Sequence, residues 1–436
     1  MPLLDTDEAL TRGSYYAASV SRPAAAPPLQ GSASTDVAIV GGGLAGLSAA
    51  LELRERGLDV RLLEAREAGW GASGRNGGQA IHGLACDQAV IEAQLGLDDA
   101  RRVWAMTLEA LDLIRERCRR HAIDCDWRDG YLAVATSARK AKALRDWVER
   151  MAEVYGYGLT WVERAALPRW VLSPRYVAGA CDPRSGHLHP LKYCLGLRAA
   201  ALSLGVHLHE HSPVSALEQG SSDVRLTTAS GAQLRARQVL LAGNVYLQQF
   251  GPGLAPALAA RITPVGTYIV ATAPLGAERA QALLPGGAAV CDTNFVLDYF
   301  RTTADHRLLY GGRVSYSTTT PPNLAAGMRQ RMQRTFPQLG EVKLEHAWGG
   351  FVDISMNRAP DFGRVGRGVY YLQGFSGHGL ALAGLAGRLV AEAIAGDASR
   401  FDVFARLRHR RFPGGRWLRT PALVAGMAWY RLRDLL

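Results

Sequence analysis

The alternation of apolar and polar positions divides the chain into repeated strand, turn and helix units. An apolar run, Asp36-Val37-Ala38-Ile39-Val40, stops at Gly41-Gly42-Gly43, and Leu44, Leu47 and Leu51 then recur at helical spacing up to Gly57. This pattern predicts a strand, a tight turn and a helix with a glycine stop. A second strand, 58–63, ends on Glu64. From Asp87 to Cys125 the pattern is helical, with Val103, Met106, Leu108, Leu111 and Ile114 on one side. Strand-like pieces at 131–136 and 176–182 flank an amphipathic helix over 138–155, and a helix over 191–204 leads through Gly205 into a strand over 206–211. The run Val239-Leu240-Leu241-Ala242-Gly243 has the form of a buried parallel strand, and 262–273, 289–301, 307–315 and 342–351 are strand-rich. Val369 to Gly374 and the Ala/Gly-rich stretch to Gly396 repeat strand, glycine turn and helix.

The order predicts an α/β fold in which a Rossmann-like nucleotide-binding domain is interleaved with an α+β substrate domain built on an antiparallel sheet. The expected boundaries are an extended N-terminal arm over 1–35 without chemistry of its own, a nucleotide domain over 36–86, 190–262 and 352–436, and a substrate domain over 87–189 and 263–351. A length of 436 residues fits two cores better than one.

Composition changes this picture little. With 48% apolar and 20% charged residues the chain reads as globular. The acidic start lacks the basic and apolar regions of a signal peptide, and the stretches 37–51 and 380–394 are too short, or too interrupted by charge, for a membrane span. The expected location is the cytoplasm. The six cysteines show no Cys-x-x-Cys pair, and His187 and His189 read as turn residues with no metal. A net charge of +11 raises the question of nucleic acid, but the arginines are scattered apart from a tail cluster over 406–419, so no nucleic-acid partner is expected.

Three glycine loops carry the candidate chemistry. Gly41, Gly43 and Gly46 fill G-x-G-x-x-G with Leu44 and Ala45 at the helix start, an arrangement that brings backbone N–H groups to a pyrophosphate. Glu64 stands where such a unit presents a carboxylate to a ribose. The second loop runs from Trp70 to Gln79 and the third from Gly374 to Gly379.

With these loops, and with Ser14 to Ser19, Gly186 to Pro190, Leu297 to Arg301, Leu308 to Gly312 and Phe412 to Arg416, the sequence resembles the D-amino-acid-oxidase-like FAD-dependent amine oxidoreductases. The resemblance implies FAD. Its adenosine ribose would meet Glu64 and Ala65, and its pyrophosphate the first loop. Val214, Ala242 and Gly243 would lie on the adenine side. Gly71, Ala72, Ser73, Arg75, Asn76, Gly77, Gly78 and Gln79 would lie on the flavin side, with Gly374, Ser376, Gly377, His378, Gly379 and Leu380 opposite. Sarcosine-oxidase-type relatives carry a carboxylate-holding lysine where this chain has Ala381, and a flavin-bonding cysteine where it has Ile354. Non-covalent FAD is therefore expected, with a substrate lacking a carboxylate beside the reacting carbon.

The implied reaction is oxidative deamination of a primary amine, foremost a gamma-glutamylated polyamine such as gamma-glutamylputrescine, to aldehyde, ammonia and hydrogen peroxide. An alkylammonium, with a pKa of about 10, must first lose a proton, which an apolar pocket favours. Tyr268, Tyr299, Phe300, Trp348 and Phe375 are the candidate walls, Arg301 or Arg313 the candidate for a distant carboxylate, and His82 and His378 candidates for the positive charge that oxygen reduction needs. The alternatives are an amino-acid or secondary-amine dehydrogenase passing electrons to a quinone or carrier, and, more remotely, an RNA-modifying flavoprotein. The oligomeric state stays open.

Overall fold

In the computed structural model, residues 3–315 and 320–413 are described. Two sheets organise them. The first runs in the order Asp361–Arg364, Val369–Gln373, Gln233–Leu241, Ser32–Val40, Val60–Leu63, His207–His209. Its central strands are parallel, with Ile39 paired to both Leu62 and Leu240. An antiparallel hairpin, Val214–Gln219 and Val224–Thr228, continues from Gln233–Leu241. The strands Ser32–Val40 and Gln233–Leu241 turn apolar and fully buried toward their carboxyl ends, because the helices Leu44–Glu55 and Gly379–Ile394 cover one face there and a cluster with Val214, Leu226, Leu247 and Leu258 covers the other.

Two helices, Leu44–Glu55 and Gly379–Ile394, lie against each other on this sheet. Their small residues permit the approach: the Ser48 hydroxyl donates to the Gly384 carbonyl, and a Cβ on Gly387 would meet the Ser48 side chain 2.6 Å away. Leu47, Ala50, Leu385, Ala386 and Leu389 are buried in this seam. The buried Glu52 sits at its edge among Arg56, Arg117 and Arg388 at 2.8–3.0 Å.

The second sheet runs Leu344–Ser355, Ile262–Thr272, Leu308–Ser315, Tyr299–Thr302, Ala289–Asp292, Arg128–Ala135, Ala178–His187, Gln79–Ala80, with Thr160–Glu163 paired to Ala178–His187. It is antiparallel except where Ala289–Asp292 meets Arg128–Ala135 in parallel. The helix Ala138–Tyr155 matches its predicted span, with Ser137 accepting from the Lys140 N–H at its start and the left-handed Gly156 at its end.

Three expectations need correction. The predicted helical stretch from Asp87 is two helices, Gln88–Leu95 and Leu97–Arg120, because Gly96 at φ +82° breaks the chain between them. The predicted strand over 289–301 is likewise two strands, Ala289–Asp292 and Tyr299–Thr302, which pair with each other. The N-terminal arm is extended only around its prolines: Leu3–Arg12 is a helix packed on Leu344–Ser355, and it buries Asp7 completely. No single helix among the described residues is long and apolar enough to cross a membrane.

Candidate active site

Because its central strands are parallel, the first sheet delivers several loops to one edge. Val40 leads into Gly41, Leu63 into Glu64, Leu241 into Ala242, and Gln373 into Gly374. That edge is where open α/β sheets bind ligands. Gly41 takes φ +116°, and a Cβ there would press on the Ala242 carbonyl at 2.6 Å; a Cβ on Gly46 would collide with the Gly41 carbonyl oxygen. Only glycine fits these two turns of the chain. The first N–H groups of the helix Leu44–Glu55 have no acceptor within the helix. Leu44 N–H donates to the Ser73 hydroxyl at 3.0 Å, which ties the first loop to the second.

These loops border an open cleft. It is lined by Gly41, Gly43, Glu64 and Ala65, by Val214, Ala242 and Gly243, and by Gly71, Ala72 and Ser73. Sequence reasoning missed Trp70, Ser212, Asn244, Tyr246 and Phe250, which also line it. The Glu64 carboxylate accepts from Gly42 N–H at 2.6 Å and Arg66 N–H at 2.8 Å. Burial pushes its pKa up, opposed by those N–H donors. A half-buried carboxylate of this kind gains from further donors such as ribose hydroxyls. A carboxylate, a helix N-terminus and side-chain-free turns in one cleft fit the adenosine-diphosphate half of a dinucleotide.

The second loop is knitted internally: Asn76 donates to the Ala72 and Ser73 carbonyls and accepts from Gly78 N–H. Gln79 donates to Val290 O at 3.1 Å, joining the loop to the second sheet. In the third loop, Asp353 accepts from the Gly374 and Phe375 N–H groups; burial lifts its pKa to about 6 despite these bonds. Ser376 is buried and donates to the Gly374 carbonyl, Gly377 is exposed, and Gly379 and Leu380 begin the helix that follows.

Several predicted site residues stand elsewhere. Arg75 turns its guanidinium away from the cleft onto Asp7, at 2.5 and 3.1 Å, and onto Thr11 at 2.7 Å, because a buried cation needs a buried carboxylate. Arg301 is consumed in structure: it donates to Gly77 O at 2.8 Å, Leu188 O at 2.9 Å and the Tyr16 hydroxyl at 3.0 Å, and is 3% exposed. It braces the second loop and is not free to hold a substrate carboxylate. The Arg313 side chain lies outside the described residues, as do Arg416 and Arg419. Tyr268 and Trp348 are fully buried; the Trp348 indole donates to Arg75 O at 3.0 Å. Phe300 stacks on Tyr310, and Phe375 packs on Phe362. These four rings belong to cores, leaving Tyr299, half-buried against Gly77 and Gly311, as the candidate wall of the original set.

The histidines separate in the same way. His378 donates from Nε2 to His82 O at 2.8 Å, and burial lowers its pKa to about 4. It is therefore neutral near pH 7 and does not supply a positive charge. His82 places Nδ1 2.7 Å from Asp182 Oδ2. Burial opposes the charge on Asp182, but bonds from His82, Ser185 and Tyr157 outweigh it and hold the carboxyl well below the usual range. Trp104, Trp147, Tyr131 and Tyr157 surround the imidazole at 5.4–6.1 Å. Asp182 and these rings come from separate segments, and no local motif announced them. Ile354 and Ala381 occupy a strand and a buried helical position, without thiol or amine.

Fold and cleft together define a dinucleotide-binding protein. Residues 36–393 match the family described as FAD dependent oxidoreductase (DAO), and the chain belongs to that family, whose cofactor is FAD. It is 43% identical over 423 residues to gamma-glutamylputrescine oxidoreductase of Escherichia coli, covering 97% of this chain and 98% of the relative. It is also 25% identical over 405 residues to D-amino acid dehydrogenase 2 of Pseudomonas aeruginosa, covering 82% and 94%. Among solved structures, L-amino acid deaminase from Proteus vulgaris superposes with a TM-score of 0.71 at 19% identity, over 89% of this chain and 99% of that one.

Proposed function

We propose that the protein oxidises a primary amine of the gamma-glutamylputrescine class, with non-covalent FAD, to an aldehyde, ammonia and hydrogen peroxide. The observation that carries this reading is the 43% identity to gamma-glutamylputrescine oxidoreductase, which extends over 97% of this chain and so takes in both sheets. Ala381 supports it, since no cation stands there for a carboxylate next to the reacting amine. When bound, the flavin supplies the hydride-accepting chemistry. The chain's part is to hold the cofactor and prepare the amine. Glu64, Ala65 and the Gly41 to Gly46 turn take the adenosine ribose and pyrophosphate. The loops at Gly71 to Gln79 and Gly374 to Leu380 would hold the flavin ring, and Val214, Ala242 and Gly243 the adenine. Residues 36–86, 190–262 and 352–436 act as the cofactor domain and 87–189 and 263–351 as the substrate domain, with Gln79–Ala80 and the end of Leu344–Ser355 as shared boundary strands.

A second reading, electron transfer to a quinone or carrier, draws on the similarity to a D-amino acid dehydrogenase and on the neutral His378, which offers oxygen no charge. A peroxide-release screen of the purified yellow protein decides between them. Gamma-glutamylputrescine should release peroxide stoichiometrically in air, with putrescine, sarcosine and D-amino acids far slower. Flavin reduction without peroxide would establish the carrier reading instead.

A further inference from the structure

His82 occupies a position that the cofactor does not account for. It follows the strand Gln79–Ala80 at the end of the second glycine loop, and its carbonyl accepts from His378 in the third. It thus lies between the two loops assigned to the flavin ring. Its Nδ1 faces Asp182 at 2.7 Å and Ser185 Oγ at 3.3 Å, while its N–H donates to Ser185 Oγ at 3.1 Å. Asp182 is 1% exposed and also accepts from Tyr157 OH at 2.8 Å, Arg184 N–H at 2.9 Å and Ser185 N–H at 3.2 Å.

Such a carboxylate fixes the ring's orientation and tautomer: with the proton on Nδ1, the lone pair is on Nε2. About a tenth of the His82 side chain stays open to solvent. Trp147 stacks on the ring at 5.8 Å and 19°, and Trp104 stands 5.5 Å away. The Trp104 indole N–H is buried and has no partner among the described residues, so the box holds a donor as well as ring faces. Aromatic faces attract an alkylammonium while excluding water.

We propose that His82, oriented by Asp182 inside this aromatic box, is the group that takes the proton from the substrate's ammonium before oxidation. The proposal rests on the amine-oxidising reading above. In the step, one N–H bond of the ammonium breaks, its electron pair stays on nitrogen, and the proton bonds to Nε2. The resulting imidazolium is stabilised by the Asp182 carboxylate, as a buried carboxylate stabilises the charged histidine of a catalytic triad. No oxidant is consumed. The other candidate side chains are committed elsewhere: His378 donates from Nε2 to His82 O, and Arg301 is bound to carbonyls. The titratable groups facing His82 are Asp182, Tyr131, Tyr157 and His378.

The test uses FAD-loaded wild type, His82→Asn and Asp182→Asn, mixed anaerobically with gamma-glutamylputrescine, putrescine or sarcosine across pH. Asparagine at position 82 retains a donor for Asp182, and flavin content checks that each variant folds. The proposal expects flavin reduction in His82→Asn to fall by about 10²–10⁴-fold, with kcat affected more than KM, and the acidic limb of the wild-type profile to disappear. Asp182→Asn should lose a smaller factor. A tert-alkylamine has no hydrogen on the carbon bearing nitrogen, so it binds without reacting; the flavin spectral shift it causes should need about tenfold more amine in His82→Asn. If His82→Asn is reduced at the wild-type rate with the wild-type pH profile, the role of His82 is overturned while amine oxidation stands. If no amine reduces the wild-type flavin, the amine reading fails and takes this role with it.

Discussion

The cofactor cleft and the aromatic box around His82 are built from different materials. The cleft is made largely of backbone: turns at Gly41 and Gly46 that admit no Cβ, N–H groups at a helix start, and one carboxylate, Glu64, anchored by N–H donors. The box is made of side chains from a loop after Gln79–Ala80, the helices Leu97–Arg120 and Ala138–Tyr155, Tyr157 just past the second helix, and the strands Arg128–Ala135 and Ala178–His187. A backbone site needs its glycines at fixed spacing and tolerates little change. A side-chain site can keep its shape while individual rings vary, so it is where related enzymes can diverge in substrate.

The comparison is most exposed at Glu64. Glu64→Lys should give a colourless apoprotein, because an ammonium replaces the acceptor of the Gly42 and Arg66 N–H groups and of the ribose hydroxyls; the flavin-to-protein absorbance ratio measures this. Retention of full flavin would mean that the cleft does not depend on its carboxylate.

Next in size is Asp7→Ala, which leaves the buried Arg75 without its partner. It should cost about 3–5 kcal/mol in denaturant unfolding of the holoenzyme. It also tests whether the N-terminal helix stabilises the second loop from outside the cleft, in which case flavin release accelerates as stability falls.

Glu52 provides a control away from both sites. Burial raises its pKa, but Arg56, Arg117 and Arg388 more than reverse this and bring it to about 2. The folded carboxyl therefore ionises below its unfolded range of about 4.3, so its stabilisation is present above that range and fades as pH falls toward 2. Glu52→Gln should cost about 2–3 kcal/mol at pH 7, with the gap to wild type closing below about pH 4.5, as read by urea unfolding at a series of pH values.

The smallest effect is expected at Tyr299. Tyr299→Leu removes a half-buried ring that rests on Gly77, and should raise KM for the amine several-fold while flavin content stays unchanged. A loss of flavin instead would move Tyr299 from the substrate face to the cofactor face.

The sequence made the two regions unequally legible. The glycine spacing at 41–46 and the carboxylate at 64 are constraints along one short segment, so strand, turn, helix and cleft could be read directly. The pairing of Arg75 with Asp7 spans the chain, and nothing in a Pro/Ala-rich N-terminus signals a buried aspartate. Arg301, Tyr268 and Trp348 were plausible site residues by type. Their burial depends on neighbours brought by other strands: Leu188 and Gly77 for Arg301, Gly349 for Tyr268, and Arg75 for Trp348. His82 stands in the sequence as a candidate, but its chemistry is set by Asp182, which local spacing does not reveal.

The most direct measurement is the visible spectrum of the anaerobic holoenzyme during titration with gamma-glutamylputrescine. The account predicts full bleaching of the oxidised flavin by one equivalent, and return of the colour with one equivalent of peroxide when air is admitted. A flavin left oxidised by this amine yet bleached by a D-amino acid or by proline would contradict it.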